Sequence, residues 1–88
     1  MDEQRILDEL LALLEGAGAK VRKEAMGGGA GGLCAVKGQN LFFYDTDSPT
    51  AETSVLCAQA VAKLVDTEAV YMRPEIRQFI DDHTGSVA

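Results

Sequence analysis

Residues 26–47 read MGGGAGGLCAVKGQNLFFYDTD and contain, in order, a glycine run, an apolar segment with a cysteine, a tight turn and an aromatic run. The apolar segments 33–37 and 41–45 predict two strands. Gly38-Gln39 between them predicts a hairpin turn of type II′, in which glycine takes the first central position. The glycine run at 27–32 then predicts a flexible loop that leads into the hairpin.

The second of these strands is apolar at four consecutive positions, from Leu41 to Tyr44. A strand with one face in water would alternate apolar and polar residues, so we expect both faces of this strand to be covered. Two arrangements satisfy that expectation. Either helices cover both faces of the sheet, or a second subunit covers one of them.

Upstream of this region, the sequence predicts a helix and an edge strand. Leucines 7, 10, 11 and 14 form one apolar stripe and predict a helix over residues 2–16. Gly16 or Gly18 is expected to end it in the left-handed conformation. Residues 19–25 include three basic side chains and a glutamate, which is typical of an edge strand protected from pairing with other molecules.

Downstream, Asp47 or Ser48 is expected to cap a second helix that has Pro49 in its first turn and runs to Val65. Apolar residues nearly encircle this helix. Complete burial of such a helix is difficult in a monomer of 88 residues, which favours a dimer.

Residues 69–72 predict a short fourth strand parallel to the third. Arg73-Pro74-Glu75 predicts the start of a last helix. The expected order is therefore α-β-β-β-α-(β)-α. We predict one domain over residues 1–88, a two-layer α+β fold with three helices and a three- or four-stranded mainly antiparallel sheet.

The charge and composition of the chain limit the kinds of partner that it can bind. The net charge is −6, which disfavours nucleic acid and anionic membrane surfaces as partners. No apolar run has the length needed to span a bilayer. The N-terminus lacks the features of a signal peptide, so we expect a cytoplasmic protein in which Cys34 and Cys57 are free thiols.

Three motifs invite a chemical interpretation. The glycine run is followed by a strand where a phosphate loop needs a helix, and no GKS or GKT sequence appears. Its amides could still form an anion-binding nest. Asp45-x-Asp47 resembles the first motif of haloacid-dehalogenase-type phosphatases, but 88 residues cannot build the doubly wound sheet of that family. We interpret these aspartates as strand-end and cap residues.

Cys34, Cys57 and His83 are too far apart in sequence to predict a zinc site, and no cofactor is expected.

Three segments together carry a family resemblance: GGLCAVKG, LFFYDTD and VYMRPEIRQFI. Over residues 31–80 the chain resembles a group of short bacterial proteins of unknown function. Their pattern is G-G-x-C, a hairpin, a hydrophobic strand, a helix and an aromatic-x-x-Pro motif. The resemblance implies no activity. His-Glu-x-x-His is missing from the sequence, which argues against a metalloprotease.

The leading hypothesis is a non-catalytic protein-interaction module that binds another protein, most simply as a homodimer. Its candidate interface residues are Phe42, Tyr44, Val55, Ala58 and Ala62.

The alternative is a small ligand-binding or enzymatic domain. Its candidate site residues are Gly28, Gly29, Gly31, Cys34, Tyr44 and Asp45. A further possibility is a divalent metal at Asp45, Asp47 and Glu52.

Overall fold

The computed structural model describes residues 2–28 and 31–84, in which three α-helices pack on a three-stranded sheet. The predicted α+β class with three helices is confirmed. The elements, in chain order, are α1 (Glu3–Gly16), β1 (Lys20–Glu24), β2 (Gly32–Val36), β3 (Gln39–Asp45), α2 (Thr50–Leu64) and α3 (Pro74–Thr84).

Helix α1 begins and ends as its sequence predicts. The Asp2 side chain accepts a hydrogen bond from the amide of Arg5 (2.8 Å), which satisfies one of the free donors of the first turn. At the other end Gly18 takes a φ of 90°, and the amide of Ala19 donates to the carbonyl of Leu14 (3.0 Å). This is a Schellman cap, in which the buried Ala19 also packs near the buried Leu14.

The sheet has the strand order β1-β3-β2, so the last strand in sequence lies in the middle. Strands β2 and β3 form the predicted antiparallel hairpin, whereas β1 runs parallel to β3. The sheet is therefore mixed rather than mainly antiparallel. Strands β1 and β2 are consecutive in sequence, but β3 lies between them in the sheet.

This strand order explains the glycine run. Because β1 and β2 lie at opposite edges, the chain between them has to cross the C-terminal end of β3. The amide of Met26 donates to Asp45 Oδ1 (2.9 Å), and the amide of Gly27 donates to Asp47 Oδ2 (3.0 Å). Gly27 and Gly28 have φ values of 74° and 91°, a region that glycine enters without steric cost. The glycine run thus belongs to the connection that leads from one edge of the sheet to the other.

Gly31 meets a separate constraint at the far end of this crossing. A Cβ atom placed on Gly31 would lie 2.3 Å from the carbonyl oxygen of Phe43 and 2.8 Å from the Cα atom of Tyr44. Both of these are backbone atoms of the central strand, which cannot rotate away as a side chain does. Only glycine therefore lets the chain pass this close to β3.

The hairpin turn differs in type from the prediction. Its central residues are Lys37 and Gly38, with φ values of 51° and 79°. Two consecutive positive φ angles define a type I′ turn, whose twist matches that of the flanking strands. The predicted type II′ turn at Gly38-Gln39 is wrong by one residue, and Gln39 instead begins β3.

Helix α2 lies at the centre of the molecule, in contact with α1, α3, β2 and β3. Its exposed positions include Glu52, Gln59 and Lys63. The chain itself therefore covers the apolar surface of α2, and this helix does not require a dimer. The predicted cap is also wrong, because Pro49 occupies the N-cap position and no side chain caps the helix.

The segment from α2 to α3 contains no strand, so the predicted fourth strand over residues 69–72 is wrong. Met72 is buried, whereas Tyr71 is 85% exposed. Helix α3 begins at Pro74, as predicted, and buries Ile76. Its start is held against α1 by an ion pair between Arg73 Nε and Glu9 Oε2 (3.1 Å).

The core lies between the helices and one face of the sheet. Phe42 stands at its centre with 0% exposure, in the same cross-strand row as Val21 and Leu33. The buried apolar residues are Leu7, Leu10, Leu14, Ala19, Phe42, Cys57, Ala58, Ala60, Val61, Val65, Met72, Ile76 and Ile80. None of the helices in residues 2–28 and 31–84 combines the length and apolar character needed to cross a bilayer.

The close approach of Gly31 to β3 predicts a large difference between two neighbouring glycines. Gly31→Ala should destabilise the fold by about 1–3 kcal/mol, the usual cost of forcing extra atoms into a packed site. Gly32→Ala should be neutral or slightly stabilising, because an added Cβ meets nothing within 4 Å and alanine suits a strand better than glycine. Urea unfolding of both variants measures the difference. Equal stability of the two would contradict the proposed contact.

Candidate functional site

The residues proposed as a ligand site do not converge. Cys34 lies on the face of the sheet away from the helices, because it pairs with Leu41, whereas Tyr44 packs against the core on the other face. Asp45 ends β3, and Gly28 lies in the crossing connection. Gly31 is pressed against the backbone of β3. Gly29 lies outside the described residues.

Tyr44 and Asp45 share one polar depression of about 230 Å³ at the start of α2. Its other polar lining residues are Gln4, Lys23, Thr46, Ser48, Thr50 and Thr53. Asp45 is only 1% exposed, and its Oδ1 accepts hydrogen bonds from the amides of Met26 (2.9 Å) and Asp47 (2.8 Å). This carboxylate therefore holds the crossing connection to the end of β3, in agreement with its interpretation as a strand-end residue.

The tyrosine in this depression is not activated as a base. Burial raises the pKa of the Tyr44 phenol above its ordinary value, and the negative charge of Asp8 raises it further. The phenol stays protonated at neutral pH. It packs beside Phe42, with ring centroids 6.2 Å apart.

The two cysteines are free, as predicted, and lie in different environments. Cys57 is fully buried, and burial raises the pKa of its thiol to about 12, which keeps it protonated and unreactive. Cys34 is half-buried. His83 packs on Phe79 near the end of α3, and its Nδ1 lies 2.9 Å from the Phe79 carbonyl oxygen.

Within residues 2–28 and 31–84 no three histidine, cysteine or acidic side chains form a group that could hold a metal ion. Asp45, Asp47 and Glu52 are thus not brought together as ligands. Asp45 and Asp47 instead accept hydrogen bonds from the amides of the crossing connection.

The second candidate surface is the face of the sheet that the helices leave uncovered. Cys34, Val36, Leu41 and Phe43 lie on this face, and we call these four residues the open patch. With Met26, Arg22 and Glu24, three of them line a depression of about 240 Å³ to which no helix contributes. Val36 is 53% exposed. The sequence alone could not show that Leu41 and Phe43 lie on this face, because all four residues from Leu41 to Tyr44 are apolar.

The interface candidates fall partly inside the core. Phe42 and Ala58 are 0% exposed, so the chain itself already covers them. Tyr44 and Val55 are half-buried, and Ala62 is exposed on α2. An interface at the aromatic strand would have to use Leu41 and Phe43 in place of Phe42.

Charge is distributed unevenly between the two edges of the sheet. Strand β1 carries Lys20, Arg22, Lys23 and Glu24 among its five residues, with Arg22 Nε and Glu24 Oε2 paired at 2.8 Å. Strand β2 carries no charged residue. The open patch is therefore apolar at the β2 edge and bordered by charge at the β1 edge.

No protein-family model, no curated protein and no solved structure matches this chain. The likeness of residues 31–80 to short bacterial proteins of unknown function stays a prediction. The open patch is the apolar face of the sheet to which no helix contributes.

The role of Asp45 predicts a stability difference between two aspartates of the same turn. Asp45→Ala should cost about 2–4 kcal/mol, because two backbone amides lose their shared charged acceptor. Asp47→Ala is the matched control. It removes one exposed hydrogen bond, to the amide of Gly27, and should cost about 1 kcal/mol or less. Chemical denaturation tests both, and an Asp45→Ala chain as stable as the control would refute this role.

The raised pKa of Cys57 predicts a loss of stability at high pH. An unfolded thiol ionises near pH 8.5, whereas the buried thiol stays protonated to about 12. The contribution of this thiol is therefore fully present below pH 8.5. It falls by about 1.4 kcal/mol for each pH unit above that value, because only the unfolded chain releases the proton.

Unfolding free energies measured between pH 8 and about 10 should fall more steeply for the wild-type chain than for Cys57→Ala. Other groups titrate equally in both chains, so the difference in slope isolates the thiol. Parallel pH profiles would show that Cys57 ionises normally in the folded protein.

Proposed function

We propose that this chain is a non-catalytic protein-interaction module that forms a homodimer through the open patch. The observation that carries the proposal is the one-sided arrangement of the helices. They cover Phe42 and leave Leu41 and Phe43 of the same strand on an uncovered face. A second copy that binds the open patch would cover this face of β3.

The physical reason for association is the apolar area of the patch. Removal of apolar surface from water is favourable by roughly 25 cal/mol per Å². Apolar surface patches with a polar rim commonly mark sites of protein–protein interaction. Here Cys34 pairs with Leu41, and both line the same depression as Phe43, so the apolar side chains of β2 and β3 are contiguous.

The layout of charge also suits a protein contact. Protein interfaces commonly have an apolar centre and a charged or polar rim. Lys20, Arg22 and Glu24 form such a rim along β1, on the same face as the patch. With a net charge of −6 per chain, two copies repel each other except where acidic residues are few, and β2 has none.

The remaining chemistry supports a non-catalytic role. The Asp45 carboxylate accepts hydrogen bonds from two backbone amides. Burial keeps the side chains of Tyr44 and Cys57 protonated. Two free cysteines fit a reducing compartment such as the cytoplasm, where we propose that the protein acts.

The homodimer is tested by sedimentation velocity over the micromolar concentration range. We expect a monomer–dimer equilibrium for the wild-type chain. Val36→Lys places a charge in the open patch and should raise the dissociation constant at least about tenfold, which corresponds to about 1.4 kcal/mol.

Tyr71→Lys is the matched control, because Tyr71 is an apolar side chain that is 85% exposed outside the patch. This variant should dimerise like the wild type. Circular dichroism confirms that both variants fold. A wild-type chain that stays monomeric at all these concentrations, or equal weakening by both substitutions, would refute the proposal.

A further inference from the structure

We infer that the polar depression at the start of α2 binds a small neutral molecule that carries several hydroxyl groups, such as a monosaccharide. This inference goes beyond the proposed homodimer and does not depend on it. The depression has a volume of about 230 Å³. Two of its lining residues, Lys23 and Tyr44, are cross-strand partners and therefore share one face of the sheet. That is the face that the helices cover, opposite the open patch.

The start of α2 provides a hydrogen-bond donor that the chain leaves unused. Pro49 occupies the N-cap position, and no side chain caps the helix. The first amides of a helix have no acceptor inside the helix, and in the described part of the chain no oxygen atom accepts from the amide of Thr50. Thr50 lines the depression. A ligand oxygen placed there would accept from this helix end, where the helix dipole is positive.

A buried threonine is a second and independent observation. Thr53 lies one turn further along α2, is 2% exposed, and keeps its remaining accessible surface in this depression. Its hydroxyl forms no hydrogen bond with any residue in 2–28 or 31–84. Buried hydroxyl groups nearly always have a partner, because an unpaired one costs stability. A ligand hydroxyl in the depression would supply that partner.

The charges of the lining residues favour a neutral ligand. The two charged side chains of the depression, Lys23 and Asp45, have opposite signs. Asp45 repels an anion and Lys23 repels a cation, whereas a neutral molecule meets neither penalty. The other polar side chains are an amide, a phenol and four aliphatic hydroxyls, which donate to or accept from the hydroxyl groups of a ligand. They are Gln4, Tyr44, Thr46, Ser48, Thr50 and Thr53.

The size of the depression requires a small ligand. Drug-sized molecules occupy pockets of about 300–1,000 Å³, which is more than the depression offers. A monosaccharide is smaller and presents apolar C–H groups as well as hydroxyls. Leu7 supplies an apolar side chain to the lining. Burial raises the pKa of Tyr44, so its phenol is a hydrogen-bond donor at neutral pH.

The site is tested by NMR on the full chain, with the amide signals followed while D-ribose or D-glucose is added to millimolar concentrations. We expect saturable shifts of the signals of residues 44–53 with at least one of these sugars. Inorganic phosphate is the competing probe, because the start of a helix can also bind an oxyanion. Saturable shifts with phosphate alone, or with none of these probes, would overturn the inference.

Thr53→Val replaces the hydroxyl by a methyl group of similar size. Because this hydroxyl has no partner in the free protein, the variant should be at least as stable towards urea as the wild-type chain. Its dissociation constant for the sugar should rise roughly fivefold, which is the usual effect of losing one hydrogen bond. Thr50→Val tests the neighbouring hydroxyl in the same way, should Thr53→Val fail to fold.

Ser54→Ala is the matched control. Ser54 is 1% exposed on the same helix and its Oγ also has no partner among the described residues, but it does not line the depression. This variant should bind the sugar as the wild-type chain does. Sugar binding that neither Thr53→Val nor Thr50→Val weakens would place the ligand elsewhere and overturn the inference. None of these outcomes affects the homodimer, which sedimentation tests separately.

Discussion

The position of β3 between the two earlier strands is the constraint on which the rest of this structure depends. It forces the chain from β1 to cross the end of β3 before β2 can begin. The buried carboxylate of Asp45 holds this crossing in place. It accepts one hydrogen bond from the amide of Met26 in the crossing connection and one from the amide of Asp47 in the turn after β3. The connection also passes so close to β3 that position 31 has to be glycine, because the backbone of β3 leaves no space for a Cβ atom there.

The same position determines the two faces of the aromatic strand. Phe42 points into the layer of helices and is completely buried, while Leu41 and Phe43 point away from it. Helices α1 and α3 and the sheet bury α2 on most of its surface, and no helix remains for the other side of the sheet. The glycine run and the apolar run of β3 are therefore two consequences of one topology, and neither requires a catalytic explanation.

The sequence predicted the helices and strands well because their signals are local. The leucine stripe of α1 and the glycine at position 18 each act within a few residues of the element they define. The fourth strand and the cap of α2 were wrong for the opposite reason. Residues 69–72 have no neighbouring strand to pair with, and Asp47 accepts a bond from the amide of Gly27 in place of capping the helix.

The sequence by itself determined the α+β class, the three helices, the hairpin and the apolar character of β3. Only the tertiary structure decided that β1 runs parallel to β3, that Asp45 holds the crossing, and that Phe42 is core while Phe43 belongs to the open patch. The physical reason is periodicity. Alternation assigns a strand's two faces only when apolar and polar residues alternate, and four apolar residues in succession leave that assignment to packing.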